Sequence, residues 1–255
     1  MTLGLPLSTI WAFLLVLARV AGMMAFFPLP AFRALPDMVR VVFSLAVTFA
    51  LFPVWPDLPN TLPTMGALIV WGVCEASFGL VTGLAVAFLV EGMQMGMQII
   101  GLQAGYGYAS MIDPNSEADS GVLQVMMMLI SGLLMFALGI DREAIRILAA
   151  SFERFPAGSW APTAQSLDGV LRLSGGILTI GLRLALPVTA LLLLIDVALA
   201  LLGRMQQQLQ LLTLSFPVKM LAAVALLAVM APMIPRIFSG AAERTLSILR
   251  QSLGQ

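Results

Sequence analysis

The sequence predicts an all-α, polytopic membrane protein with about six hydrophobic helices. Of its 255 residues, 60% are hydrophobic and only 10% are charged. Soluble domains lie nearer about 45–50% apolar and about 25% charged. Such a chain cannot cover its surface with polar groups, so it needs lipid or a large apolar partner. Apolar runs of span length also recur along it, and backbone in lipid must satisfy its own hydrogen bonds, which selects helices.

The runs lie near residues 7–27, 38–53, 66–90, 122–140, 173–203 and 212–235. Residues 1–8 carry no basic stretch and no small-residue cleavage site, so the first run is expected to be a span and not a removed signal. Phe27-Pro28-Leu29-Pro30 stops it, and Leu35-Pro36-Asp37 opens the second helix. That second run is short, roughly 24 Å at 1.5 Å per residue. Pro53, Pro56, Pro59 and Pro63 make 53–63 a stiff, extended connector. Pro187 should kink or split the fifth run, and 155–168 reads as a polar loop. No fixed-period repeat or separate soluble domain is visible, so residues 1–255 are expected to form one membrane domain.

Composition narrows the chemistry. Thirteen basic and thirteen acidic residues cancel, leaving no polybasic face for nucleic acid. Histidine is absent, which removes the commonest metal ligand and neutral-pH base. Cys74 is the only cysteine, so an intrachain disulfide, a cysteine-based zinc site and a Cys–His pair are excluded. No cofactor, metal or catalytic activity is expected. Positive charge puts Arg33, Arg40 and Arg204 on one side of the membrane. Arg142, Arg146, Arg154, Arg172, Arg236, Arg244, Arg250 and both termini then fall on the cytoplasmic side.

Residues 91–121 carry the most unusual chemistry. Gly92 and Gly96 share one helix face, and Gly101 and Gly105 share roughly the opposite one. Small residues four apart let helices approach closely, within one chain or between chains. Gln94, Gln98 and Gln103 add hydrogen-bonding groups. Next comes Tyr106-Gly107-Tyr108-Ala109-Ser110-Met111-Ile112-Asp113-Pro114, with Glu117 and Asp119 beyond. This acidic segment either hangs in solvent or lines a polar lumen. It lacks the glycine and terminal glutamate of a calcium loop. Eight of the 17 methionines fall between Met93 and Met135. Methionine fills irregular or changing gaps, so Met126, Met127 and Met128 are candidates to seal a conduit, or else stand in for leucine against lipid.

Arg19, Glu75, Arg183 and Asp196 lie inside apolar runs. Charge at bilayer depth costs about 2.5–3.5 kcal/mol on insertion scales, so these groups should pair, snorkel or line a wet cavity. Arg19 and Glu75 are candidates to pair across helices. Arg183 and Asp196 lie about 140° apart on one straight helix and should find partners elsewhere. Structural pairing is preferred to a proton path.

Several ordered segments resemble the flagellar biosynthesis protein FliR family and its injectisome counterparts, over nearly the whole length. They are Ala18-Arg19-Val20-Ala21-Gly22, Phe27-Pro28 and Leu35-Pro36-Asp37-Met38-Val39-Arg40, then Glu75, Gly79 and Gly83. Gly101-Leu102-Gln103-Ala104-Gly105-Tyr106-Gly107 follows, with Ser110 and Asp113-Pro114. Ile145-Arg146 to Ser151-Phe152, Pro156-Ala157-Gly158, Arg204 and Phe216-Pro217-Val218-Lys219 complete the series. Two features depart from that family: no histidine stands near Asp141-Arg142, and Gln207-Gln208-Leu209-Gln210 replaces its usual Pro-Gln-x-Asn string.

The resemblance implies a helical-hairpin export-gate subunit of a type III system in the bacterial inner membrane, at the basal body. Its expected partners are FliP-like and FliQ-like membrane subunits, FlhB-like and FlhA-like export components, and unfolded secreted proteins in transit. It further implies a plug in the closed lumen at Tyr106, Gly107, Tyr108, Ser110, Met111, Asp113 and Pro114, and assembly contacts near Arg204 and Lys219. A self-sufficient transporter would need inverted repeats and a midplane site at broken helices. Pro187 has no counterpart in another half. An intramembrane enzyme would need a constellation of reactive groups, and few such residues exist here.

Overall fold

The computed structural model describes residues 6–28, 36–56, 64–106, 121–156, 158–205 and 211–252. Among them the regular structure is helical. The helices are α1 (Leu7–Phe26), α2 (Asp37–Ala50), α3 (Met65–Ala104), α4 (Val122–Ala137), α5 (Ile140–Arg154), α6 (Ala164–Met205), α7 (Leu211–Met230) and α8 (Ile234–Ser252). Short 3-10 turns lie at Phe52–Val54 and Ala231–Met233.

Four helical stretches are long and apolar enough to cross a membrane: Leu7–Phe26, Met65–Ala104, Ala164–Met205 and Ser215–Gln251. A fifth counts if α4 and α5, bent by 59°, form one broken span. The expected number was about six. The difference lies in α2, whose 14 residues reach only about 21 Å at 1.5 Å per residue, well short of a hydrocarbon core of about 30 Å.

Local chemistry explains the boundaries. Pro28 disfavours helical backbone at the preceding residue, and Phe27 is extended, its amide N–H donating to the Met23 carbonyl. Pro36 precedes α2, and Asp37 sits in its first turn, where a carboxylate meets the positive helix end. The glycines and glutamines after Val90 do not end α3, since a glycine inside a long buried helix costs only about 1 kcal/mol. Pro187 does not split α6, and Pro217 lies within α7. Helix α6 begins at Ala164, so the polar loop ends earlier than expected.

The chain falls into two compact units. The first comprises Met1–Phe88, Met135–Ser174 and Ala242–Gln255. Helix α1 buries Ala12, Leu15, Val16, Arg19, Val20, Met23 and Met24 along one stripe. It meets the first part of α3 through glycine: a Cβ on Gly79 would fall on the Arg19 carbonyl, and one on Gly83 on that of Met23. Gly22 faces the Ala76 carbonyl in the same way. Phe13 packs against Phe49 and Trp55, with ring centroids 5.5 and 5.6 Å away. The Trp55 Nε1–H donates to the Thr48 carbonyl at 3.0 Å. Helix α5 is amphipathic, burying Ile140, Ala144, Ile147, Leu148, Ser151 and Phe152. Its Glu143 pairs with Arg250 of α8.

The second unit comprises Leu89–Leu134 and Gly175–Ala241. Here α3 packs on α6. Gly92 lies against Ile177 and Ile180, and Gly96 against Gly181 and Leu184.

Candidate functional site: two polar clusters in an apolar chain

Arg19 lies in the middle of α1 with its side chain fully buried, as is that of Glu75 on α3. The Arg19 Nε–H donates to Glu75 Oε2 at 2.5 Å. Its Nη1 donates to Ser151 Oγ at 2.7 Å and its Nη2 to the Phe155 carbonyl at 3.1 Å. Ser151 Oγ–H in turn donates to the Leu148 carbonyl. The second oxygen of Glu75 accepts the Gly158 N–H at 2.8 Å. Phe78 and Phe152 stack on the guanidinium, at 4.6 and 4.2 Å from their ring centroids. Trp160 meets Phe78 edge-on at 5.3 Å. Both oxygens of the carboxylate and all three guanidinium nitrogens are therefore used. That is the condition under which a buried pair repays its desolvation. The cluster ties α1, α3 and α5 to the loop after α5.

Gly158 has φ +84° and lies against the Trp71 ring. A side chain there would clash and strain the backbone, so glycine is required for this N–H to reach Glu75.

The second cluster lies in the other unit. Lys219 Nζ of α7 pairs with Asp196 Oδ1 of α6 at 2.9 Å, and the Gln103 amide of α3 donates to Asp196 Oδ2 at 3.2 Å. The Asp196 side chain is 40% exposed and that of Lys219 14%. Asp196 thus finds its partner within the chain, on the next helix.

The remaining site residues fall as follows. Arg183 and Arg204 are exposed on α6. Met127 is buried, Met128 half-buried and Met126 41% exposed, because consecutive helical residues point about 100° apart. Gly92 and Gly96 form a packing face. Within this chain Gly101 and Gly105 do not share one. Gly101 faces open space, and Gly105 lies just past the end of α3 with φ +89°, against Phe216. Its N–H donates to the Leu102 carbonyl and that of Tyr106 to the Gly101 carbonyl, the paired bonds of a glycine helix terminus. Gly107, Tyr108, Ser110, Met111, Asp113 and Pro114 lie outside the described residues. Ser151, Phe155 and Gly158 were not foreseen as partners of the buried pair. Neither were Gly22, Gly79 and Gly83 as packing residues, although Gly79 and Gly83 have the spacing of close helix contacts.

The fold and these clusters define a polytopic, all-helical membrane protein whose interior charges join helices to one another. More specifically, the chain belongs to family 1 of the bacterial export proteins, whose sequence model matches residues 10–245. It is similar to the flagellar biosynthetic protein FliR of Escherichia coli (strain K12), at 29% identity over 86% of this chain and 83% of that one. The FliR of Pectobacterium carotovorum subsp. carotovorum is 27% identical over 94% of this chain and 92% of its own. That of Caulobacter vibrioides (strain ATCC 19089 / CIP 103742 / CB 15) is 23% identical over 84% and 86%.

Proposed function

We propose that this chain is a membrane subunit of the flagellar type III protein export gate. It contributes helices to the passage through which unfolded proteins leave the cell during flagellum assembly. The reading rests on the family match across residues 10–245. The FliR relatives, similar over most of their own length, favour a flagellar over an injectisome assignment. In this reading the chain is not an enzyme. It resides in the inner membrane at the basal body with FliP-like and FliQ-like subunits, and meets FlhB-like and FlhA-like components.

Two features agree with a role in a larger assembly. Large apolar side chains remain exposed on α2, α3, α4 and α6, among them Met38, Phe49, Ile69, Leu133 and Leu194. Lipid or partner helices must cover them. The polar clusters hold helix to helix, and nothing in their chemistry requires a reaction. The acidic segment 106–121, which follows the end of α3, is assigned to the plug of the closed lumen, and Met126, Met127 and Met128 to its seal.

Deletion of the gene, followed by return of the wild-type copy, tests this reading. We expect loss of motility and of filament protein from the culture medium, both restored by the returned copy. Normal export in the deletion strain would refute it.

A further inference from the structure

We infer that Asp196, Lys219, Gln103 and Phe216 clamp the last turn of α3, and that this clamp positions the plug segment in the closed passage; the inference rests on the assignment of 106–121 to the plug. All four residues lie in the second unit. The Gln103 side-chain amide donates to Asp196 Oδ2 at 3.2 Å. Lys219 Nζ donates to the same oxygen at 3.1 Å and lies 2.9 Å from Oδ1. One residue past the end of α3, the Phe216 ring fills the place of a Gly105 Cβ, which would come within 2.6 Å of it. Between these two grips Ala104, the last helical residue, is fully buried. Helices α6 and α7 thus both hold α3 at the point where the acidic segment leaves it.

A helix end frays readily, because its opening costs little unless something holds it. A segment hung from a frayed end has no fixed starting point. Here the terminal N–H groups of Gly105 and Tyr106 close the last turn from within, and α6 and α7 hold it from outside. The choice of groups is informative. Asp196 and Lys219 sit in apolar helices, where charge is expensive. Two apolar side chains would join α6 to α7 without that cost. The charged pair adds direction: a carboxylate fixed by an ammonium presents an oxygen to the Gln103 amide at a set distance and angle, which leucine contacts do not. Both charged side chains also remain part-exposed. Neutralising one therefore strands no fully buried charge, and the helices can still pack.

The test uses the full chain, affinity-tagged, in its assembled complex. Two quantities are read for wild type, Asp196→Asn, Lys219→Met and Gln103→Leu: co-purified membrane protein per tagged chain, and leakage of potassium ions through the closed complex. Asp168→Asn, which breaks the exposed pair with Arg172, is the control. We expect all variants to keep at least half the wild-type yield. Leakage should rise at least threefold in Asp196→Asn and Lys219→Met, at least twofold in Gln103→Leu, and not at all in Asp168→Asn. Each variant is then combined with deletion of 106–121. A residue that acts only by positioning the plug should add nothing to the leak of the deleted form. Wild-type tightness in an assembled Asp196→Asn complex overturns the inference, as does a leak that adds to that of the deletion. A tenfold loss of co-purified protein in Asp196→Asn with normal yield in Gln103→Leu also overturns it, since the pair would then hold the complex together and not the end of α3. If neither charge variant accumulates, Gln103→Leu decides, and wild-type leakage there overturns it. A deleted form as tight as its parent refutes the plug assignment itself, whereas a leaking deletion beside tight clamp variants refutes this inference alone.

Discussion

Arg19 of α1 and Glu75 of α3 form an ion pair with both side chains fully buried. The partners are 56 residues apart in sequence, and the other two guanidinium nitrogens and the second carboxylate oxygen each bond to α5 or the loop after it. The pair therefore holds three helices and a loop at one point.

Removing one partner strands the other charge. Arg19→Ala or Glu75→Ala should each destabilise the protein by about 3–5 kcal/mol, the usual loss when one half of a buried pair is deleted. The double variant Arg19→Met/Glu75→Met should lose less than either single change, because it leaves no uncompensated charge. Thermal unfolding of the detergent-solubilised protein reads both. Additive losses in the double variant would argue against a coupled pair.

Gly79 sets the approach of α1 to α3, because its missing Cβ is occupied by the Arg19 backbone. Gly79→Val should abolish accumulation. Gly66 and Gly72 have nothing within 4 Å, so Gly66→Ala and Gly72→Ala should be tolerated. Their change should be at most about 1 kcal/mol, in the stabilising direction expected from helix propensity. Quantifying each variant in membranes separates a packing role from a general dislike of substitution.

Asp196 and Lys219 are part-exposed, so their attraction is screened more than that of the buried pair. Asp196→Asn should cost about 1 kcal/mol, a clearly smaller fall in unfolding temperature than Glu75→Ala gives. An equal fall would place Asp196 in a far less accessible setting.

The methionines should separate by burial. Met127→Ala removes a fully buried side chain and should cost about 2–5 kcal/mol. Met126→Ala changes an exposed one and should stay within about 0.5 kcal/mol. In the assembled gate, replacing Met126, Met127 and Met128 together by alanine should raise ion leakage if these residues seal the passage.

Deletion of residues 106–121 addresses the plug. Assembly should persist, and passage of ions or small solutes through the complex should rise. A deleted form as tight as its parent would remove this segment from that role.

Much of this was legible in the sequence. The stop at Phe27-Pro28 and the start at Asp37 follow from proline geometry and helix-end charge, which act locally. Arg19 and Glu75 could be matched because a charge in an apolar run has few places to go. Other features depend on groups that carry no sequence signal. The Phe155 carbonyl and Gly158 N–H are backbone, and every residue but proline offers both. Gly105 has the spacing of a packing residue, yet its left-handed conformation places it beyond the end of the helix. Asp196 was expected to find its partner elsewhere, but Lys219, which reaches it from the next helix, carries no local sequence signal that marks the pairing. The run 38–53 looked like a span by composition, but its helix ends at Ala50, before Pro53.

Helices that mate with other polypeptides around a shared passage should leave the membrane as part of a larger body. Native mass measurement of the tagged chain, extracted gently from its own membranes, tests it most directly. We expect a stable complex several times heavier than the 27.2 kDa chain, containing other small membrane proteins. A homogeneous single chain that moves ions or metabolites when reconstituted alone in liposomes would contradict it.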